Sequence, residues 1–362
     1  MTANKNMQSR LSACLRTVAV ILPFAAVGAA SAAEPLSYFT WAGYDDPAFR
    51  KPFTDKYGAS GVVYSFYSGT DEAYTKLSGG YTADVAHPCI HDIKKWQAAG
   101  LLKPIDPSKV AAWNDILPAL RDASSVVIDG KHWMVPWEWG ASSVIYRTDK
   151  VKPAGETYAI LTDPAYKQRT ALPDAFDEIY QLSAVLAGIK KPLALDEGDY
   201  AKVEEKMRAL RDNARFIWTD PGQLEQAIAS GEVDVAWGWP SSLASLKRQS
   251  IPVDFMLKPK EKLVTWECGI GILATAKAPE AEIYDFINAL TAPESGKALV
   301  EKFAYGHSNA KALASVDPKL LAELGLDGDA DAMIKGGNLL GPMPDAQRQR
   351  LVEMWSLIKA GG

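Results

Sequence analysis

The sequence predicts an α/β fold divided into two lobes, and three observations predict it. Short apolar strands alternate with helices from Leu36 onward, Gly or Pro separates most of them, and 362 residues are too many for one compact core. Internal repeats and low-complexity linkers are absent from the sequence, so the lobes are expected to be joined by crossing strands rather than by a tether. A chain with 48% apolar and 23% charged residues has the composition of an ordinary globular protein.

The amino end reads differently. Lys5, Arg10 and Arg16 precede an apolar run over residues 18–30, which closes in Ala30-Ser31-Ala32. A basic region, a short apolar region and a small-residue site together predict a cleaved secretory signal over residues 1–32, with the mature chain starting near Ala33. Without those three basic residues, 36 Lys and Arg stand against 44 Asp and Glu, a formal charge of −8. An acidic balance argues against nucleic acid and suits neutral or cationic ligands. Cys14 precedes the apolar part of the leader, which leaves Cys89 and Cys268 as an even pair that an oxidising compartment could join.

Leu36 to Trp41 reads as the first strand, and Asp45-Asp46-Pro47 caps a helix through about Tyr57. Residues 62–66 form a strand, 70–77 a helix, 83–86 a strand that stops at Pro88, and 90–99 a helix that ends at Gly100. Such alternation builds a parallel sheet, whose ligands gather at the carboxyl ends of strands. Trp41-Ala42-Gly43-Tyr44 and His87-Pro88-Cys89 sit at such ends. The stretch 135–141 then sets Trp137, Glu138 and Trp139 in one strand after the Asp129-Gly130 turn and before a second apolar run, 144–146. Alternation would send both indoles one way and Glu138 the other.

The pattern then restarts. A strand ends at 171–173, and helices cover 177–187, 200–213 and 224–230. A strand over 233–239 carries Trp237 and Trp239. Strands at 255–257 and 266–273 precede helices at 279–290, 293–303, 318–324 and 345–360. Trp41, Trp218, Trp237, Trp239 and Trp266 each stand beside a turn or at the end of an apolar run, an arrangement that suggests an aromatic box assembled from several segments around one small ligand.

Two other chemistries are weaker. His87, Cys89, His91 and Asp92 have a spacing that would put ligands on one face of a strand, but Pro88 and the helical character of 90–99 break that geometry. No metal site is expected, and a metal-ion receptor stands as an alternative. Glu138 and Glu178 could serve a secreted hydrolase only if both faced one sugar. The sequence lacks a Gly-x-Ser-x-Gly elbow and a phosphate-cradling loop, and no catalytic group or cofactor is expected.

Read in order, several segments resemble the periplasmic spermidine/putrescine-binding proteins of ABC importers. They are Phe39-Thr40-Trp41-Ala42-Gly43-Tyr44, Ala99-Gly100-Leu101-Leu102-Lys103-Pro104-Ile105-Asp106, Pro136-Trp137-Glu138-Trp139-Gly140 and Ser230-Gly231-Glu232-Val233-Asp234 with Trp239. Thr265-Trp266 leading to Gly271-Ile272-Leu273, and Phe286-Ile287-Asn288 before Pro293-Glu294, continue the series. The resemblance implies a two-lobe periplasmic-binding-protein fold of type II, with a ligand cleft between lobes joined by crossing strands. Lobe one would be 33–140 plus 267–312, and lobe two 141–266 plus 313–362. It also implies a periplasmic receptor for a small amine, monomeric, that delivers its ligand to an inner-membrane permease.

Carried over residue by residue, the resemblance implies an aromatic wall of Trp41, Tyr44, Trp239, Trp266 and Tyr305, with Glu178 as a carboxylate and Cys89 and Cys268 at two further ligand-lining positions. Acids expected at three positions are replaced by Gly43, Ala175 and Cys268, which leaves open either a polyamine-like ligand or a smaller one with one positive centre, such as a monoamine, a quaternary amine or a zwitterion. Glu138 and Glu267 are candidate replacements and Trp137 a further wall residue, although alternation would turn both glutamates away from their aromatic neighbours to be solvated or salt-bridged. Arg147 and the Ser142-Ser143 pair are candidate donors to a zwitterion's carboxylate. Because both replace cleft positions, Cys89 and Cys268 either form a disulfide across the cleft rim or stay as two buried free thiols, and the resemblance leaves both readings open.

Overall fold

The computed structural model describes residues 34–362, so the expected leader, 1–32, lies outside the described residues. Eight strands form the path of the main sheet, in the order Val62–Tyr67, Leu36–Trp41, Val85–Ala86, Val264–Leu273, Val135–Arg147, Val235–Gly238, Thr170–Pro173, Ala214–Trp218. The first three are parallel to one another, as are the last three, and each group is flanked by helices. Between them the two long strands, Val135–Arg147 and Val264–Leu273, pair antiparallel with each other and with their outer neighbours. These are the crossing strands of a two-lobe fold.

Each long strand serves both halves. Gly271 and Ile272 pair with Val85–Ala86 in the first half, while Val264 and Thr265 pair with Asn338–Leu339 near the carboxyl-terminal helix. Ser143 to Tyr146 pair with Val235–Gly238 in the second half. All ten residues of Val264–Leu273 are buried, as a strand covered on both faces must be. Close approach is secured at Gly140, where a Cβ would fall 2.5 Å from Cζ2 of Trp266. The pairing slips once: Cys268 stands opposite Glu138 and Gly269 opposite Pro136, so Trp137 is the extra residue of a β-bulge.

Local chemistry sets several helix starts. Asp46 accepts a hydrogen bond from the Ala48 amide with Pro47 in the first turn, Asp196 caps Glu197–Asn213, and Asp220 caps Pro221–Ala229. The helix expected from Pro47 to Tyr57 is a 3-10 turn, Pro47–Arg50, followed by Lys51–Tyr57. The helix expected from 90 begins only at Ile93, because Cys89 bridges Cys268 and the Ile90 amide donates to the Glu267 carbonyl. The apolar runs 135–141 and 144–146 are one continuous strand. Strand Ala214–Trp218 follows the preceding helix with no residue between and was not expected; helix Pro240–Arg248, which begins one residue after a strand with Pro240 in its first turn, was not expected either.

The halves have their own apolar clusters. Phe39, Ile93 and Trp96 pack in the first, Ile145, Ala236 and Leu246 in the second, and a larger cluster runs through the long strands. Leu326, Ala330 and Ile334 pack with Leu120 and Trp139, where the Ala119 amide donates to Asp331.

Cys89 and Cys268 are joined in a disulfide that spans 179 residues of sequence. In the chain-entropy account a loop of that length stabilises the fold by about 5 kcal/mol. Thiol titration of the denatured, unreduced protein should therefore find only Cys14, and none once residues 1–32 are removed. Reduction should lower the melting temperature by several degrees. Two further titratable thiols would contradict the bridge.

Candidate functional site

A cleft of about 910 Å³ lies between the two halves of the sheet, at the carboxyl ends of the parallel strands. Of the residues singled out in the sequence, Trp41, Tyr44, Cys89, Glu138, Glu178, Trp239, Trp266, Cys268 and Tyr305 line it together. Trp137 and Glu267 do not line it. Trp137 is fully buried behind the wall, with its ring 5.4 Å from Tyr44 and 5.8 Å from Phe49.

The first-half wall grows from the ends of strands. Trp41 closes Leu36–Trp41, donates its indole N–H to the His87 carbonyl at 3.1 Å, and meets Tyr67 edge-on. The chain then turns through Gly43 at φ +90°, a backbone that L side chains rarely adopt, and presents Tyr44. The acid implied at this position would thus be strained here. Trp266 lies over Gly140 and meets Tyr305 edge-on at 4.8 Å.

The second-half wall starts at Trp239, which precedes helix Pro240–Arg248 and packs at right angles on Trp218. Glu178 sits in the first turn of helix Phe176–Leu186. Its carboxylate accepts from Ser142 Oγ at 2.8 Å, Trp237 Nε1 at 2.8 Å and Trp239 Nε1 at 3.3 Å. Burial pushes its pKa up, and those three donors offset part of the rise. The helix amino terminus acts in the same direction as the donors.

Glu138 corrects the expectation of a solvated or salt-bridged side chain. It is 1% exposed, because the strand is covered on both faces and the bulge at Trp137 breaks the alternation just before it. Its Oε1 accepts from the Tyr44 hydroxyl and lies 3.4 Å from His87 Nε2. Its Oε2 has no hydrogen-bond partner among the described residues. Burial pushes the carboxyl up to about 8 and the His87 imidazole down to about 3, so His87 is neutral and supplies no counter-charge. Glu267 is also 1% exposed and unpaired at Oε1; desolvation holds its carboxyl well above the usual range, and it too is neither solvated nor bridged.

The candidate donors to a ligand carboxylate are engaged elsewhere. Arg147 holds Asp149 and the Ile228 carbonyl, Ser142 holds Glu178, and Ser143 donates to the Met256 carbonyl. Around the Pro88 turn, Cys89 is a disulfide sulfur, His87 lies by Thr40 and Glu138, and His91 lies 3.6 Å from Asp92. Among the described residues no group of three His, Cys, Asp or Glu is set to hold a metal ion.

Sequence reasoning missed the contacts that cross the cleft. Arg348 of helix Asp345–Lys359 bridges Asp177 in the second half and Asp71, at 2.9 Å, in the first. Away from that pair, Ser241 Oγ and Tyr305 Oη are 2.9 Å apart, and Arg248 donates to the Lys302 carbonyl. An arginine near the end of a chain carries no sequence signal for such a role. Trp218 stood among the recurring indoles but lacked a motif.

Residues 48–324 match the family described as bacterial extracellular solute-binding protein. The putrescine-binding periplasmic protein PotF of Escherichia coli is 25% identical over 364 residues, which cover 95% of this chain and 96% of that protein. The putrescine-binding periplasmic protein SpuD of Pseudomonas aeruginosa is 24% identical, over 95% of this chain and 97% of its own. Among solved structures, the spermidine/putrescine ABC transporter substrate-binding protein PotD from Streptococcus pneumoniae shares the fold. It has a TM-score of 0.73 at 22% identity, covering 90% of this chain and 99% of its own.

The buried carboxyls give the ligand-free protein a defined pH dependence. With its pKa raised from 4.5 to about 8, Glu138 keeps in the folded state a proton that the unfolded chain has released between those values. Stability is therefore full below about pH 4.5 and is lost as pH rises through about 8. Urea unfolding between pH 5 and 9 should show this loss, and Glu138→Gln should flatten it. Identical pH slopes for the two proteins would contradict the burial argument.

Proposed function

The chain belongs to the bacterial extracellular solute-binding proteins, and from that premise we propose that it is a periplasmic receptor that closes on a small amine cation and delivers it to an ABC permease. One observation carries this reading: buried carboxyls stand in a wall of indole and phenol faces, and Glu138 has an oxygen left over. An ammonium ion taken out of water needs an anion, at a cost otherwise of several kcal/mol. Aromatic faces add about 0.5–2 kcal/mol each by cation–π attraction.

In this reading Trp41, Tyr44, Trp239, Trp266 and Tyr305 form the wall, and Glu138 and Glu178 supply negative charge. Cys89 and Cys268 form a covalently fixed edge, while Trp137 and Glu267 support the wall from behind. The names of the putrescine-binding relatives support the amine class. The lobes would be 33–140 with 267–312 and 141–266 with 313–362, residues 326–334 resting against Leu120 of the first. Closure would be held by Arg348 with Asp71 and by Ser241 with Tyr305. Export through the leader 1–32 would bring a monomer to the periplasm, and an acidic surface gives nucleic acid no foothold. The role needs no catalytic step or cofactor.

A thermal-shift screen of protein refolded free of carried-over ligand tests the reading against putrescine, spermidine, choline, short amino acids and γ-aminobutyrate. A ligand at a thousand times its Kd stabilises by about 4 kcal/mol, a shift of a few degrees for a protein of this size. At least one amine should give that shift, and Trp239→Ala should weaken it by about 2 kcal/mol or more. No shift with any amine would overturn the amine reading; a shift untouched by Trp239→Ala would move the ligand out of this cleft. Arg348→Ala should also weaken binding, by roughly 1 kcal/mol, if its pair with Asp71 helps hold the closed form.

A further inference from the structure

Acids line the cleft in some number, but their partners differ. Glu178 is met by three donors, Asp177 and Asp71 by Arg348, and Asp174 by Lys359 at 2.6 Å. Glu225 accepts from Ser245 Oγ, Asp220 caps its helix through the Gly222 amide, and Glu72 holds Lys76. Glu138 alone among these cleft acids is fully buried and keeps a carboxyl oxygen with no partner among the described residues.

Positive charge is arranged in the opposite sense. Lys302 is tied to Asp46, Lys359 to Asp174, Arg348 to two aspartates, and Arg248 to the Lys302 carbonyl. Lys302, Lys359 and Arg248 are exposed at the rim, and none is buried in the aromatic wall. A ligand carboxylate entering the wall would meet carboxyls and aromatic faces without a buried cation to neutralise it. A second ammonium would find no second open acid beside the first.

Resting on the amine reading above, we propose that the cleft takes a ligand with a single cationic centre and no carboxylate, seats that centre on Glu138 Oε2, and releases one proton from Glu138 as it does so. The exchange is balanced: the protonated carboxyl and the free cation become a carboxylate–cation pair, and the proton leaves to the solvent. No electron moves and no covalent bond forms to the ligand.

The groups facing Glu138 fix its protonation. Tyr44 donates to it from the turn after Leu36–Trp41, and His87, from the end of Val85–Ala86, is neutral. Tyr38 on strand Leu36–Trp41, Tyr67 and Tyr305 are buried phenols whose ionisation its charge would oppose. On the adjacent long strand Cys268 is a disulfide sulfur, and burial pushes the Glu267 carboxyl well above its usual range. His307, on the other neighbouring strand, is held by the Leu290 carbonyl and is also neutral. With no positive charge near it among the described residues, burial raises the empty carboxyl to about 8. A cation in contact offsets that penalty and lowers its pKa.

Isothermal titration of the wild-type protein with n-butylamine, choline, putrescine and γ-aminobutyrate tests this, in pairs of buffers with different ionisation enthalpies. Choline, which has no proton of its own to lose, should release close to one proton at pH 6.5 and almost none at pH 9. Its affinity should rise by nearly tenfold per pH unit from 6 to 7 and level off above about 8. Putrescine and γ-aminobutyrate should bind at least tenfold more weakly than the best monocation. Glu138→Gln should abolish the proton release and cost tenfold or more in affinity. Tight amine binding with no proton release at any pH would overturn the Glu138 exchange while leaving the amine reading intact. Putrescine or γ-aminobutyrate binding best would overturn the single-charge claim, and no binding by any of the four would overturn both readings.

Discussion

The antiparallel pairing of Val135–Arg147 with Val264–Leu273 is the constraint on which the rest depends. These strands join the two halves of the sheet, and both are buried nearly throughout. One pairing therefore fixes Glu138, Trp266 and Cys268 at the cleft and Trp139 and Glu267 behind it. The disulfide from Cys268 to Cys89 ties the end of the short strand Val85–Ala86 to the same ladder. The bulge at Trp137 lets consecutive residues serve different tasks, Trp137 in the core and Glu138 at the wall.

Placing carboxyls in such a position is unfavourable for folding, and the structure responds differently at each. Glu178 is met by three donors and a helix amino terminus, which suits a carboxylate that must persist. Glu138 has a phenol on one oxygen and, among the described residues, no partner on the other, which suits a group that waits for a partner. Glu267 lies away from the cleft with neither, and burial holds its carboxyl well above the usual carboxylate range. Three glutamates of similar burial thus have three different sets of partners, set by which donors the sheet brings near them.

Much of the fold was legible in the sequence. The alternation of strands and helices, the Asp-Pro and Gly boundaries and the absence of a linker all reappear as the two-lobe architecture. Most of the aromatic wall was legible too, because indoles at strand ends are conspicuous and their order resembles a known family. What was not legible depended on the third dimension. Strict alternation misplaced Glu138 and Glu267, since it assumes a regular strand with one wet face, and this strand has a bulge and two covered faces. The Arg348 bridge joins positions 277 residues apart, and no local pattern encodes it.

The central claim is that a small cation sits in the aromatic cleft with its charged centre on Glu138. A crystal structure of the protein grown with choline tests it most directly. The account requires the quaternary nitrogen within about 6 Å of the Trp41 or Trp266 ring and in van der Waals reach of Glu138 Oε2. Choline bound at the rim beside Asp177 or Glu225, with Glu138 still facing an unfilled wall, would contradict it.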